Sequence, residues 1–141
     1  MPARDNYHDI VKRALIKAAW KITHDPLRLV WGGKDMYVDL GAERLVAAER
    51  DGQRIAVEIK GFTNPSEMGD LEHALGQFMV YHAVLLETEP ERKLYLAVPN
   101  TVVVNIFQEP LGTLLLSRYS VQLLGFNPLT EELVQWIPPI D

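Results

Sequence analysis

The segment that most constrains this chain is residues 55–61, IAVEIKG, because it joins a strand-forming pattern to two opposite charges. Alternate residues of a strand point to the same face, so Glu58 and Lys60 are expected side by side while Val57 and Ile59 point the other way. Burying ionised groups on an apolar strand is costly unless they are paired or hold a metal. The segment therefore predicts a strand with a polar site on one face.

A second acid, Asp39, lies nineteen positions before Glu58, in the strand-like segment Met36–Leu40. The combination Asp…Glu-x-Lys is the pattern of a magnesium-dependent nuclease site. Magnesium prefers oxygen ligands and is usually held by one or two carboxylates with waters and substrate phosphate. A lysine beside the metal orients the attacking water or stabilises charge on the phosphate. The alternative is a surface ion pair between Glu58 and Lys60, and the residues alone leave both interpretations open.

The second predicted helix carries polar residues that share one side at spacings of three, seven and eleven positions. They are Asp70, His73, Gln77 and Tyr81. We expect this side to lie roughly opposite the apolar stripe of the helix. Gln77 and Tyr81 form the pattern Q-x-x-x-Y, which follows the E-x-K motif in many DNA-processing nucleases. Gln77 is a candidate for positioning substrate or water, and Tyr81 for contacting a phosphate or a base; the alternatives are a solvated Gln77 and a partly buried Tyr81.

Length and composition favour one domain over residues 1–141, with 48% hydrophobic residues to fill a core. Cysteine is absent, which excludes disulfides and thiolate zinc sites and is typical of a cytoplasmic protein. No apolar run approaches the length that spans a membrane. We therefore expect a cytoplasmic protein without a membrane segment.

The net charge of −5 argues against a protein that coats nucleic acid by bulk attraction. The charge is uneven, because residues 1–34 hold seven Lys or Arg against three acids. Arg13 and Lys17 belong to a basic outer face of the first predicted helix. A solvated face is the favoured interpretation, and binding of a substrate phosphate is the alternative.

The order of predicted elements indicates an α/β protein with one mixed β-sheet flanked by helices. The first helix is predicted from Asp5 or Asn6 to about Thr23, and the second from Asn64 or Ser66 to about Leu86. Strands are predicted at 27–31, 36–40, 44–50, 53–60, 94–98, 121–126 and 133–137, with turns at 32–35 and 51–52. Residues 100–119 are predicted as short helices split at Pro110.

Several segments together resemble the XisH family, in order and over nearly the whole chain. They are THDPL (23–27), VDLGAE (38–43), AAER (47–50), IAVEIK (55–60), ALGQF (74–78), PERKLYLA (90–97) and FQEP (107–110). The resemblance implies a controlling factor for excision of the fdxN element, a DNA rearrangement in cyanobacterial heterocysts. It also implies a XisI-like protein partner and, indirectly, a site-specific recombinase.

The same resemblance implies the PD-(D/E)xK, or restriction-endonuclease-like, fold. Carried over to this chain, it assigns Asp39, Glu58 and Lys60 as catalytic, with Gln77 as a further candidate. Mg²⁺ or Mn²⁺ would be held by Asp39, Glu58 and the carbonyl of Ile59. Val38 occupies the position of the proline in the PD-(D/E)xK motif. Asp9 and Glu49 are reserve acids of weaker standing.

Two functions follow as alternatives. One is a magnesium-dependent endodeoxyribonuclease that cleaves phosphodiester bonds, and the other is a non-catalytic regulator that binds a partner or recombination DNA. The apolar segment Leu111–Leu116 makes a homodimer a further expectation.

Overall fold

The computed structural model describes residues 6–44 and 52–140. The strands are β1 (Lys21–His24), β2 (Leu27–Trp31), β3 (Lys34–Val38), β4 (Leu40–Arg44), β5 (Gln53–Ile59), β6 (Lys93–Pro99), β7 (Leu123–Asn127) and β8 (Glu132–Ile137). The helices are α1 (His8–Lys17), α2 (Glu67–Thr88), α3 (Asn100–Val102), which continues into a π-helical turn at Val103–Phe107, and α4 (Pro110–Tyr119).

Six of these strands form one mixed sheet in the order β1-β4-β5-β6-β7-β8. The central pairs β5–β6 and β6–β7 are parallel, and the outer pairs are antiparallel. Parallel neighbours need a crossover, which α2 provides between β5 and β6. The predicted α/β class with a mixed sheet flanked by helices is confirmed. The strands β2 and β3 pair separately as a hairpin.

The two faces of the sheet are covered by different helices. Ile55, Val57 and Ile59 of β5 belong to a core that includes α1, whereas Ala56 belongs to a core that includes α2. Because side chains alternate along a strand, Glu58 shares the α2 face with Ala56. The polar site predicted on β5 therefore opens toward α2.

The first helix is shorter than predicted, ending at Lys17 rather than near Thr23. Ala19 has a φ of 69°, in the left-handed region that ends helices. Residues after the buried Trp20 then form β1, which pairs antiparallel with β4. The helical period of the sequence was therefore overridden by a long-range strand pairing that no local pattern specifies.

Several other element predictions are confirmed, whereas the predicted strand 36–40 is divided, because β3 ends at Val38 and β4 begins at Leu40. Ser66 begins α2, and its Oγ accepts a hydrogen bond from the Gly69 N–H at 3.0 Å. The turn between β2 and β3 falls at Gly32 and Gly33, and α4 begins at Pro110. The greater part of the predicted strand 44–50, including Glu49, lies outside the described residues.

Within the part of the chain that the structure describes, no helix is long and apolar enough to cross a membrane.

Candidate functional site

Asp39 and Glu58 interlock at the point where the β2–β3 hairpin joins the sheet. Leu40 pairs with Val57, so the preceding Asp39 lies beside Glu58. The Asp39 N–H donates to Glu58 Oε1 at 3.1 Å, and the Ile59 N–H donates to Asp39 Oδ2 at 2.7 Å. Glu58 is only 5% exposed. Each carboxylate thus accepts a backbone N–H from the segment that carries the other, and all three predicted metal-binding residues lie together.

Lys60 directly follows the last residue of β5, and its side chain contacts α2. Its backbone N–H donates to the Ala97 carbonyl at 2.9 Å, just past the end of β5. Its Nζ lies 3.6 Å from Asp70 Oδ1 and 3.1 Å from His73 Nδ1. The buried Asp70 is held in turn, because its Oδ2 accepts the Asn64 N–H at 3.0 Å. The lysine ammonium is therefore positioned by a carboxylate that is itself oriented by the loop before α2.

The buried face of α2 differs from the predicted stripe. Met68 and Met79 are apolar residues of this helix, yet they are about half exposed, at 50% and 49%. The buried residues of α2 are Asp70, Leu71, Ala74, Phe78, Val84 and Leu85. Because the small Ala74 is buried, the buried face extends toward the polar residues. The expectation that these lie opposite the core is therefore wrong for Asp70, Gln77 and Tyr81, whereas His73 is exposed as expected. Gln77 and Tyr81 are half-buried beside the core.

The electrostatics of Tyr81 place it near the two acids. Burial raises the pKa of its hydroxyl above the ordinary value, and the negative charge of Glu58 raises it further. A hydrogen bond from Gln77 acts in the opposite direction, and Asp39 adds a smaller increase. Tyr81 is therefore close enough to Glu58 and Asp39 for their charges to act on its hydroxyl, and Gln77 is hydrogen-bonded to it.

Two other predicted residues do not join this site. Arg13 Nε and Nη2 donate to the two carboxylate oxygens of Glu131 at 2.8 and 2.7 Å, and Lys17 Nζ donates to the Thr130 carbonyl at 3.1 Å. Both lie on α1, which covers the opposite face of the sheet. Their assignment to substrate phosphate at the Asp39 site is therefore not supported, and Asp9, exposed on the same helix, gains no support either.

The oxygen ligands of this site fit a hard cation, but among the described residues only two carboxylates are available to hold it. Two carboxylates with waters and phosphate suffice for magnesium. In the ranges 6–44 and 52–140, however, no three His, Asp or Glu side chains converge as a metal-binding group. A metal at this site would thus rest on Asp39, Glu58 and the Ile59 carbonyl, and it stays a prediction.

Asp70 and His73 were grouped with Gln77 in the sequence, but their contact with Lys60 was not predicted. The spacing of these residues shows that they share one side of α2. The sequence does not show which side of α2 faces the sheet, so the contact with Lys60 could not be inferred.

These observations define an α/β protein whose mixed sheet bears an interlocked pair of carboxylates and a lysine beneath a crossover helix. The chain belongs to the XisH family, because the family model described as XisH protein matches residues 1–134.

Solved structures agree with this membership. An XisH family protein from Nostoc punctiforme PCC 73102 is 38% identical, with a TM-score of 0.84 over 94% of this chain and 98% of that one. A protein from Anabaena variabilis, described as an fdxN element excision controlling factor, is 39% identical, with a TM-score of 0.84 over 95% and 99% of the two chains. No curated protein matches the chain.

Proposed function

We propose that this protein acts in the controlled excision of a DNA element and that Asp39, Glu58 and Lys60 form a magnesium-dependent, nuclease-type site. The excision role is taken from the name of the Anabaena variabilis relative. The observation that carries the nuclease proposal is the hydrogen-bonded pair of Asp39 and Glu58 beside the half-buried Gln77–Tyr81 pair. A fold of the restriction-endonuclease-like superfamily is part of the same proposal.

The residues would divide the work by their chemistry. Asp39, Glu58 and the Ile59 carbonyl would hold Mg²⁺ or Mn²⁺ against a DNA phosphate. The cation would supply activation of water and stabilisation of negative charge on the phosphate. Lys60 would contribute a positive charge beside the same phosphate, held in place by Asp70. Gln77 and Tyr81 would bound the site on the α2 side and orient the nucleotide.

A cleavage assay tests this proposal. Linear, supercoiled and branched DNA would be incubated with the protein and Mg²⁺ or Mn²⁺, with and without a XisI-like partner. We expect metal-dependent cleavage that Glu58→Gln abolishes, because the glutamine keeps the shape of the side chain but loses its charge. If none of the DNA substrates is cleaved in a metal-dependent reaction, the nuclease proposal is wrong.

A non-catalytic regulator is the second candidate, and the contacts of Lys60 favour it. The ammonium lies against Asp70 and His73, which ties it to the fold without any substrate. The net charge of −5 also favours a basic protein partner that supplies the DNA affinity. A XisI-like protein, and through it a recombinase, would be partners of this kind. A second copy of this acidic chain would not supply DNA affinity, but it would cover the exposed Leu111 and Leu114 of α4.

An excision assay separates the two candidates. Lys60→Ala and Glu58→Gln would be compared with the parent in cells or extracts that excise the element. Loss of excision in both variants, with thermal stability retained, supports catalysis. Full excision by both variants supports the regulator.

A further inference from the structure

The tip of the β2–β3 hairpin presents an aromatic and a cationic side chain that the core does not use. Trp31 pairs with Lys34 across the hairpin, and Gly32 and Gly33 close the turn with φ values of 57° and 76°. Two positive φ angles in a two-residue loop make a tight turn that keeps both strands in register to the end. The tip is therefore an ordered projection.

Trp31 and Lys34 lie on the inner face of this hairpin. Alternation along β2 places Leu27, Leu29 and Trp31 on one face. Leu27 and Leu29 are 4% exposed and pack in the core with α2, whereas Trp31 is 53% exposed. The inner face of the hairpin is therefore buried near its base and exposed at its tip, where the pair Trp31–Lys34 is open to solvent.

The hairpin is continuous with the candidate site. Its base is the Leu27–Val38 pair, and Asp39 follows Val38 directly. Asp39 lies five residues after Lys34, and five steps of an extended chain span about 17 Å at about 3.3 Å per residue. Stacked nucleotides rise about 3.4 Å each along one strand, so the tip lies about five nucleotides from Asp39.

We propose that the hairpin tip binds an unpaired stretch of the DNA that enters the Asp39–Glu58 site, with a base stacked on Trp31 and a neighbouring phosphate on Lys34. An indole face stacks on any base that is not already stacked, which a single strand offers and a closed duplex does not. A lysine beside the ring supplies the charge that phosphate requires on a protein of net charge −5. This inference rests on the proposed function and narrows its substrate to DNA with unpaired bases beside the cleavage point.

The first experiment measures binding of fluorescein-labelled oligonucleotides to the Glu58→Gln protein, which prevents cleavage. The probes are a twelve-base single strand and a blunt duplex of the same sequence. We expect the single strand to bind more tightly. Trp31→Ala should weaken that binding roughly 5- to 100-fold, and Trp31→Phe should restore most of it. Val30→Ala is the matched control, because Val30 is 43% exposed on the outer face of the same strand.

The second measurement is intrinsic fluorescence. Trp20 is 2% exposed and Trp31 is 53% exposed, so the single strand should quench the parent much more than Trp31→Phe. Equal affinity and equal quenching in the parent and the Trp31 variants overturn the inference, as does preference for the blunt duplex. Cleavage by the parent is scored separately: cleavage without a Trp31 effect removes only the hairpin inference, and a Trp31 effect without cleavage removes only the nuclease proposal.

Discussion

At the scale of single residues, the hydrogen bonds of Asp39 and Glu58 give both acids a structural role that does not depend on a metal. Asp39 Oδ2 accepts from the Ile59 N–H, and the Asp39 N–H donates to Glu58. Because Ile59 is 3% exposed, its N–H would lack water if the acceptor were removed. Loss of activity in an alanine variant would therefore have two causes, the loss of the carboxylate and the loss of fold stability. Substitutions that keep the hydrogen bond are needed to distinguish these causes.

Asp39→Ala and Asp39→Asn are expected to differ in stability. The alanine leaves the Ile59 N–H unpaired and should lower the free energy of unfolding by about 1–3 kcal/mol. The asparagine keeps an oxygen acceptor and removes a charge beside Glu58, so its cost should be smaller. Urea denaturation measures both, and Mg²⁺ should stabilise the parent but neither variant. Equal stability of the two variants would contradict the hydrogen-bonding role.

Tyr81 should report on occupation of the site by a cation. Burial and the charge of Glu58 raise the pKa of its hydroxyl, so Mg²⁺ bound at the acids should lower that pKa. The measurement is the tyrosinate absorbance from pH 8 to 12 with and without Ca²⁺, a hard cation of the same charge that does not precipitate as Mg²⁺ does at high pH, with Tyr81→Phe subtracted. An unchanged titration at saturating Ca²⁺ would argue against a metal beside Tyr81.

The same raised pKa sets an alkaline limit on stability. The folded protein favours the neutral phenol, so Tyr81 contributes stability that is fully present below the pKa of the unfolded chain. That contribution is lost as the pH rises through the folded pKa. The stability of the parent relative to Tyr81→Phe should therefore fall toward high pH, which urea denaturation at a series of pH values measures.

At the scale of elements, α4 is packed against the preceding π-helical turn so closely that a methyl group does not fit. A Cβ on Gly112 would lie 2.1 Å from the Ile106 carbonyl oxygen and 2.5 Å from Phe107 Cα. Both neighbours are backbone, so relief requires α4 to move. Gly112 therefore allows α4 to pack closely against the π-helical turn. The sequence predicted these two elements only as short helices split at Pro110.

Gly112→Ala should lower the free energy of unfolding by about 1–3 kcal/mol or more, despite the better helix propensity of alanine. Gly76→Ala is the matched control, because a Cβ there meets nothing within 4 Å on the exposed side of α2. The control should gain about 1 kcal/mol from helix propensity. Thermal or urea melts decide, and a stable Gly112→Ala would show that α4 moves without cost.

The elements also show which predictions local sequence supports. The cap at Ser66 and the turn at Gly32 and Gly33 depend on residues within three positions, and both were predicted. The end of α1 depends on pairing with β4, and the buried side of α2 depends on how Ala74 fits against the sheet. These involve residues distant in sequence, so the contact of Lys60 with Asp70 could not be predicted. The approach of Asp39 to Glu58 was expected from the Asp…Glu-x-Lys pattern and the family resemblance.

At the scale of the whole molecule, several basic residues in the described part of the N-terminal region are paired with acidic side chains. Arg13 binds Glu131, and Lys12 binds Asp25 at 2.7 Å. With a net charge of −5, the protein should attract DNA through a few local contacts and not through a general field. The dependence of affinity on salt measures how many contacts there are.

The affinity of the protein alone for a single-stranded oligonucleotide should fall with salt at a slope no steeper than about −3 in a plot of log K against log salt. Each contacted phosphate of a single strand contributes about −0.7. Lys34→Gln should make the slope less steep by about that amount. Lys17→Gln should leave it unchanged, because Lys17 contacts Thr130 on the other face of the sheet. Anisotropy titrations between 50 and 200 mM salt measure the slopes. A slope of about −6 for the protein alone would mean a broad basic surface, and only a basic partner should produce such a value.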